Sequence, residues 1–390
     1  MNNIKQNNHI VFLINSMGEG GAQRVILSLV EEYLSHSIEV TLISLVKNDF
    51  YEIPIGVNKV YLREKASESS GFYETLLIPY YAWKLKRYVK NKKIKIVQSH
   101  LFRANFVNLI SKLFSSKQIV QIVNHSVISR FLREGLFGRA NIFLIRILYP
   151  KADKVFYISK RMKEDFLFYV KGIDKKNIII YNPYNISQIL EQSKENVDFT
   201  FNPKKLYLVT VGRLITLKRF KDILLVLSTL DEDIELVMLG NGEKEAKLKA
   251  LANDLNIMSR VHFLGQVKNP FYYISRSDLF ISSSSVEGFP NVLVEAMICR
   301  TAIISTDCVS GPREILAPKT DHSYQLTEGL EMAEFGILYP VGKVDELKKA
   351  ILLLLKDEKL RKEYETKAFE QSKNFSIEKI SKIYKEAYFK

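Results

Sequence analysis

The sequence predicts an α/β protein made of two doubly wound, Rossmann-like domains, and three observations carry that expectation. At 390 residues the chain is too long for one ordinary hydrophobic core and suits two domains. Short runs rich in Val, Ile and Leu alternate with stretches of helical period almost throughout, the pattern of βαβ units and parallel sheets. The register changes once, at Asn182-Pro183-Tyr184 and the polar segment 187–203, which reads as an interdomain linker. Residues 1–185 are therefore expected as a first domain, 186–375 as a second, and 376–390 as a closing helix that returns to the first.

The elements follow in order. His9-Ile-Val-Phe-Leu-Ile14 is a continuous apolar run that suits a strand buried on both faces. A Gly-rich turn comes next, then a helix from near Ala22. Residues 38–46 alternate as a strand, and runs at 94–99, 118–123, 154–159 and 177–181 continue the series with helical period between them. A second series opens at Leu206-Tyr-Leu-Val-Thr-Val-Gly212 and continues at 234–239, 261–264, 278–283 and 302–305. Residues 344–372 and 376–389 carry long helical periodicity. Two such series read as two domains facing one another across a cleft.

Composition narrows the class. With 47% hydrophobic and 26% charged residues the chain is globular in composition. Cys299 and Cys308 are too few for a disulfide framework and read as free buried thiols, in keeping with a reducing, cytoplasmic setting. No apolar run approaches the roughly 20 residues that span a bilayer. Residues 1–9 are polar and lack a signal-peptide hydrophobic region, so the chain is expected to be neither secreted nor integral.

The net charge of +14 is uneven: through Glu195 there are 29 Lys and Arg against 16 Asp and Glu, and 28 against 27 thereafter. A basic surface attracts nucleic acid or anionic lipid, and charge alone does not choose between them. Two basic stretches interleave aromatic and aliphatic residues, 73–95 (with Lys84, Lys86, Arg87 and Lys90) and 130–146. Amphipathic basic helices of this kind suit a membrane surface.

The most telling stretch is Glu287-Gly-Phe-Pro-Asn-Val-Leu-Val-Glu295, where a strand gives way to a helix. Ligands of open α/β sheets bind at the carboxyl ends of the strands. The amides of Asn291, Val292 and Leu293 open a helix there, a ready anion site. A diphosphate resting on them would have a carboxylate on either side to take hydroxyl groups, which describes a nucleotide-sugar pocket. Val211-Gly-Arg-Leu-Ile-Thr-Leu-Lys218 adds two cations at the same edge, Arg213 and Lys218. Cations fixed beside a leaving diphosphate stabilise the charge that develops as the glycosidic bond breaks.

The Glu-x7-Glu spacing with its Gly-Phe-Pro interior resembles the signature of the family 4 retaining glycosyltransferases, enzymes of the two-domain GT-B fold. That resemblance implies a donor-sugar contact at Glu287, a ribose contact at Glu295, and amides between them that hold the diphosphate beside Arg213 and Lys218. It implies a Gly20-Gly21 loop over the donor phosphates, and framing of the base and ribose near Gly240 and Leu264. His125 is similar to the family's active-site histidine, His100 to a neighbouring acceptor-side residue, and Glu314, in Gly311-Pro-Arg-Glu314, to a donor-sugar contact. His262 reads as structural. The D-x-D match Asp231-Glu-Asp233 falls at the amino edge of a strand, the wrong edge for a metal site, and no metal or other cofactor is expected.

The expected function is transfer of a hexosyl unit from a UDP-sugar, with retention, to a glycan or a polyprenyl-diphosphate-linked glycan of a bacterial surface polysaccharide or glycoprotein. An N-acetylhexosaminyl or galactosyl unit fits the wording Ser-Gly-Pro-Arg-Glu-Ile. Retention by double displacement needs a carboxylate at nucleophilic distance, and the sequence fixes none. The family is described by a same-face mechanism, in which His125 would orient rather than attack. The expected place is the inner face of the cytoplasmic membrane, with an anionic surface but no nucleic acid as partner. A hydrolysing UDP-N-acetylhexosamine epimerase of similar fold and a basic nucleic-acid-binding module are the alternatives.

Overall fold

The computed structural model describes residues 9–18, 20–64, 71–113 and 118–389; most of the polar N-terminal stretch, residues 1–8, lies outside them. Contacts divide the chain into two units, Met1–Tyr184 with Ile377–Lys390, and Asn185–Ser376.

The first unit is a seven-stranded sheet of β1 (His9–Ile14), β2 (Glu39–Val46), β3 (Asn58–Arg63), β4 (Ile96–His100), β5 (Ile119–Asn124), β6 (Lys154–Tyr157) and β7 (Asn177–Ile179). Their order is β3-β2-β1-β4-β5-β6-β7, and every pairing is parallel. The order reverses between β1 and β4, the switch point beside which doubly wound sheets take ligands. Neighbouring β4 and β5 match an Ile-Val-Gln triplet residue for residue, with Gln98 opposite Gln121.

One face of this sheet is polar as well as packed. Ser99 Oγ donates to Asn105 Oδ1 at 2.9 Å, and Asn108 Nδ2 donates to Val97 O at 2.9 Å. Asn105 Nδ2 donates to Tyr149 OH, which donates in turn to Asn124 Oδ1 at 3.0 Å. Such a layer is stabilising only when its members satisfy one another, because an unpaired polar group in a low dielectric is costly.

The helix Ile377–Phe389 packs on the first unit's helix Gly21–Ser35, and Tyr384 stacks on Phe156 at 6.1 Å between centroids. Tyr388 OH accepts from Val11 N at 2.9 Å and donates to Ile96 O at 3.0 Å, so one hydroxyl bridges β1 and β4. Lys154 Nζ and Gln121 Nε2 donate to the carbonyls of Ala387 and Tyr388 in the helix's last turn, each at 2.7 Å.

The second unit contains β8 (Leu206–Val211), β9 (Ile234–Leu239), β10 (Val261–Gly265), β11 (Leu279–Ser282), β12 (Ala302–Thr306), β13 (Glu331–Ala333) and β14 (Gly336–Tyr339). The order is β10-β9-β8-β11-β12-β14-β13, parallel except for the β13–β14 pair. Leu208, Leu236, Met238, Ile281, Ile304 and Ile337 line a core closed by Leu224, Leu347 and Ile351. Arg313 is nearly enclosed, and its guanidinium joins Asp307 after β12 to Glu331 of β13 at 2.6 and 2.7 Å.

Three expectations are corrected. The polar segment 187–203 is not all linker: Ile186–Gln192 is a helix of the second unit, begun by the Asn185 side chain accepting from Gln188 N at 3.0 Å. The basic stretch 73–95 is two helices, Gly71–Leu76 and Ile78–Asn91, with Pro79 in the first turn of the second. Residues 344–372 likewise break at Asp357, whose carboxylate accepts from Leu360 N to begin a new helix.

Tyr388→Phe should leave two buried backbone groups of β1 and β4 without their bridge. Denaturant unfolding of the full chain is expected to show a loss of about 1–3 kcal/mol, the cost of buried polar groups left unsatisfied.

Candidate functional site

At the carboxyl edge of the second unit, backbone is drawn against backbone through glycines. Gly212 follows β8 and Gly240 follows β9; a Cβ on Gly240 would lie 2.0 Å from Gly212 O, and its φ of 129° already excludes most side chains. Gly240 N donates to Gly265 O at 2.6 Å and Gly212 N to Leu239 O at 2.9 Å. The ends of β8, β9 and β10 are thereby locked side by side, with Leu264 in the last of them half-buried.

The loops after β11 and β12 are laced in the same way. Val286 bridges Val309, Glu287 N donates to Val309 O at 3.2 Å, and Ser310 Oγ donates to Gly288 O at 2.7 Å. Gly311, at φ 95°, passes so close to Pro290 that a Cβ would lie 2.3 Å from its ring. This fixes the Gly-Phe-Pro turn before the helix Asn291–Ile298, which starts after Pro290 with no side-chain cap. Glu314 lies in the short helix Pro312–Leu316 and is buried. Glu295, on the helix after the turn, is only 3% exposed.

Lys218 ends a 3-10 turn, Thr216–Lys218, held against the β11 loop by Ser283 Oγ and Ser285 N, which donate to the carbonyls of Lys218 and Leu217. Its ammonium sits 2.6 Å from Glu287 Oε1, with the two side chains 19% and 13% exposed. The buried thiol of Cys308 is beside this pair: burial raises its pKa first, and the Glu287 charge raises it further.

The head of Lys218 rests on Glu287, a contact the sequence did not reveal, and the exposed Arg213 guanidinium makes no hydrogen bond or ion pair among the described residues. One expectation changes: Leu293 was expected as one of three outward amides, but its N–H donates to Pro290 O at 3.0 Å.

In the first unit, Gly20 precedes the helix Gly21–Ser35, and Gln23 folds over it to donate to Ser16 O. His100 ends β4, and His125 directly follows β5. His100 Nδ1 and His125 Nε2 are 2.9 Å apart. The edge of Phe12 covers His100 at 5.6 Å between centroids. Asp165 accepts from Ile128 N and Ser129 N and so pins the loop behind His125. His100 is 0% exposed and has no surface to offer an acceptor, which corrects its expected acceptor-side role. His125 keeps some exposed surface. Burial lowers the His125 pKa to about 4 and holds His100 well below its ordinary value, with His125 adding to the second shift.

His262 is held by Glu235 at 2.7 Å, a structural pairing. Asp231 and Asp233 lie before β9 at its amino end, where Leu206 N donates to Asp233 O. Sequence reasoning missed the Lys218–Glu287 and His100–His125 contacts. The repeated Ile-Val-Gln ahead of each histidine was the one visible signal for the second.

Comparison with known proteins bears on this edge chemistry. Residues 19–188 match the family described as Glycosyltransferase Family 4, and residues 191–371 match Glycosyl transferases group 1. Over 370 residues the chain is 32% identical to the N-acetylgalactosamine-N,N'-diacetylbacillosaminyl-diphospho-undecaprenol 4-alpha-N-acetylgalactosaminyltransferase of Campylobacter jejuni subsp. jejuni, covering 95% of this chain and 96% of that one. A lipopolysaccharide 1,6-galactosyltransferase of Salmonella typhimurium is 30% identical over 202 residues, half of each chain. Among solved structures, the lipopolysaccharide outer core galactosyltransferase WaaB superposes with a TM-score of 0.70 at 20% identity, covering 98% of this chain and 99% of that one. Anabaena Alr3699/HepE in complex with UDP gives 0.74 at 17%, covering 97% and 98%. At those identities the structural likeness concerns the fold.

Histidines with a depressed pKa take up protons in the unfolded chain first. Their contribution is full above the unfolded value near 6.5 and is lost as pH falls toward the folded value, about 4 for His125. The thermal midpoint of the wild type should therefore fall more steeply between pH 6.5 and 4 than that of His125→Asn; equal slopes in calorimetric scans would contradict it.

Proposed function

The chain belongs to the glycosyltransferases of GT-B fold, and from that premise we propose that it moves a hexosyl unit from a UDP-sugar to a lipid-linked glycan, with retention at the anomeric carbon and without a metal. The observation that carries this reading is the Lys218–Glu287 pair, at the carboxyl edge of the sheet and next to an uncapped helix start. A diphosphate arriving there meets an ammonium, the exposed guanidinium of Arg213 and the helix-end dipole, groups that neutralise phosphate without an ion. As the ammonium shifts toward phosphate, Glu287 is released to accept from a sugar hydroxyl. Glu295, Glu314, Gly240 and Leu264 are assigned to the ribose, sugar and base, and Gly20, Gly21 and His125 to the donor from the first unit.

The acceptor class is proposed from likeness: the Campylobacter relative's name specifies a diphospho-undecaprenol-linked acceptor. The surface of the first unit supports the same reading. On the helix Gly135–Leu148, Leu136 and Phe143 are 82% and 62% exposed and Phe137 and Ile147 are also exposed, beside the exposed Arg139 and Arg146. Among the described residues no helix is long and apolar enough to cross a membrane, so association would be interfacial.

The deciding experiment incubates a panel of UDP-sugars with polyprenyl-diphosphate-linked acceptors in chelator-containing buffer and reads donor loss and anomeric product. Consumption of UDP-N-acetylhexosamine without acceptor would point to an epimerase, and no uridine diphosphate binding by calorimetry would end the proposal. Glu287→Ala should keep or tighten UDP binding, because it frees the Lys218 ammonium, while transfer falls by about 10²–10³-fold, the usual size of a lost transition-state contact. Lys218→Ala should weaken UDP binding by about tenfold or more, as expected for a charge-assisted bond worth about 1.5–3 kcal/mol. Leu136→Ser with Phe143→Ser, or neutralisation of Lys84, Lys86, Arg87 and Lys90, should lower co-sedimentation with anionic vesicles and spare UDP affinity. Unchanged sedimentation would remove the membrane role.

A further inference from the structure

A polar chain that ends on His125 begins on a backbone carbonyl, and a carbonyl oxygen only accepts. Tyr388 O lies 2.7 Å from the side-chain amide of Gln121, so Gln121 presents its NH2 there and turns Oε1 the other way. That oxygen meets Gln98 at 3.1 Å, and Gln98 must supply its own NH2. The remaining oxygen of Gln98 faces His100 Nε2 at 3.3 Å, so this nitrogen carries a proton. Both rings are kept neutral at pH 7 by burial, and a neutral imidazole has one N–H. His100 Nδ1 is then a lone pair, and the donor across the 2.9 Å contact is His125 Nε2. Reversing any member would set oxygen against oxygen or N–H against N–H.

We infer that Gln121, Gln98 and His100 are positioning residues that lock His125 as its Nε2–H tautomer, leaving Nδ1 as a lone pair that accepts from a ligand hydroxyl. Among the described residues nothing donates to Nδ1. The choice of ligand group follows: a sugar hydroxyl has a hydrogen to give, whereas a phosphate or carbonyl oxygen would meet lone pair with lone pair. His125 thereby selects a ligand hydroxyl over a phosphate oxygen. The last step rests on the proposed function, but the tautomer does not.

The test uses the full chain with 15N-labelled histidine and two-bond 1H–15N correlation at pH 7, His125 being assigned by the signals lost in His125→Asn. A single Nε2–H tautomer at His125 is expected; the Nδ1–H form, or averaging between the two, would overturn the inference. Gln98→Met removes the acceptor of His100 Nε2–H and should let both rings average, and an unchanged spectrum would refute the relay. Should that variant fail to fold, the wild-type spectrum decides by itself. UDP affinity of the labelled wild type is measured alongside: its absence would remove the functional reading and leave the tautomer standing.

Discussion

Strand direction is the constraint on which the rest of this molecule depends. In a parallel sheet every carboxyl end lies on one edge, so residues far apart in sequence arrive together without any local signal between them. Lys218 and Glu287 are 69 positions apart, yet β8 and β11 are neighbours and deliver them to contact. The loops at that edge cannot approach so closely with ordinary side chains, which is why glycines follow both β8 and β9. A mostly buried ion pair is a poor source of stability, because desolvating two charges offsets most of their attraction. Its value lies in keeping a cation and a carboxylate in register for a ligand that engages both.

The first unit solves the same geometric problem with neutral groups. Its central strands carry Ser99 and Asn124 to one packed face and Gln98 and Gln121 to the other, where water cannot satisfy them, and each finds a partner in a neighbouring side chain or in the closing helix. Two histidines at the ends of β4 and β5 inherit that order. Their rings are neutral because they are enclosed, and orientation in this site comes from hydrogen bonding instead of charge. The two edges thus differ in kind: ionic in the second unit, dipolar in the first.

Most of the sheet architecture was legible because strands buried on both faces read as unbroken apolar runs, as in 10–14 and 302–304. The strand Asn58–Arg63 was not, because it lies at the sheet's edge with exposed Asn58 and Lys59 and lacks that signal. The helix breaks at residues 77 and 357 turn on single residues, Pro79 in the first turn of one helix and the Asp357 cap of the other, and escaped a reading based on period. The contiguous motif from Glu287 to Glu295 and the run around Arg213 were readable because their residues are sequence neighbours. Which side chains pair across strands was not, since nothing near Lys218 in the sequence says which carboxylate the registry of β8 and β11 will bring to it. The enclosure of His100 was hidden for a similar reason: Phe12, which covers it, comes from a strand almost ninety residues earlier.

Tyr388 gives this chain a temporal asymmetry. The bond from Val11 to its hydroxyl closes a loop of 377 positions, and the whole second unit is threaded inside that loop. Domains fold as their sequence leaves the ribosome, so the inserted unit can mature while the outer one is still open along the seam of β1 and β4. The buried amide of Gln121 also waits for its carbonyl through nearly all of translation. The outer unit, though begun first, is finished last, and a nascent chain halted before residue 388 would expose an unsealed sheet to whatever chaperone or neighbour is at hand.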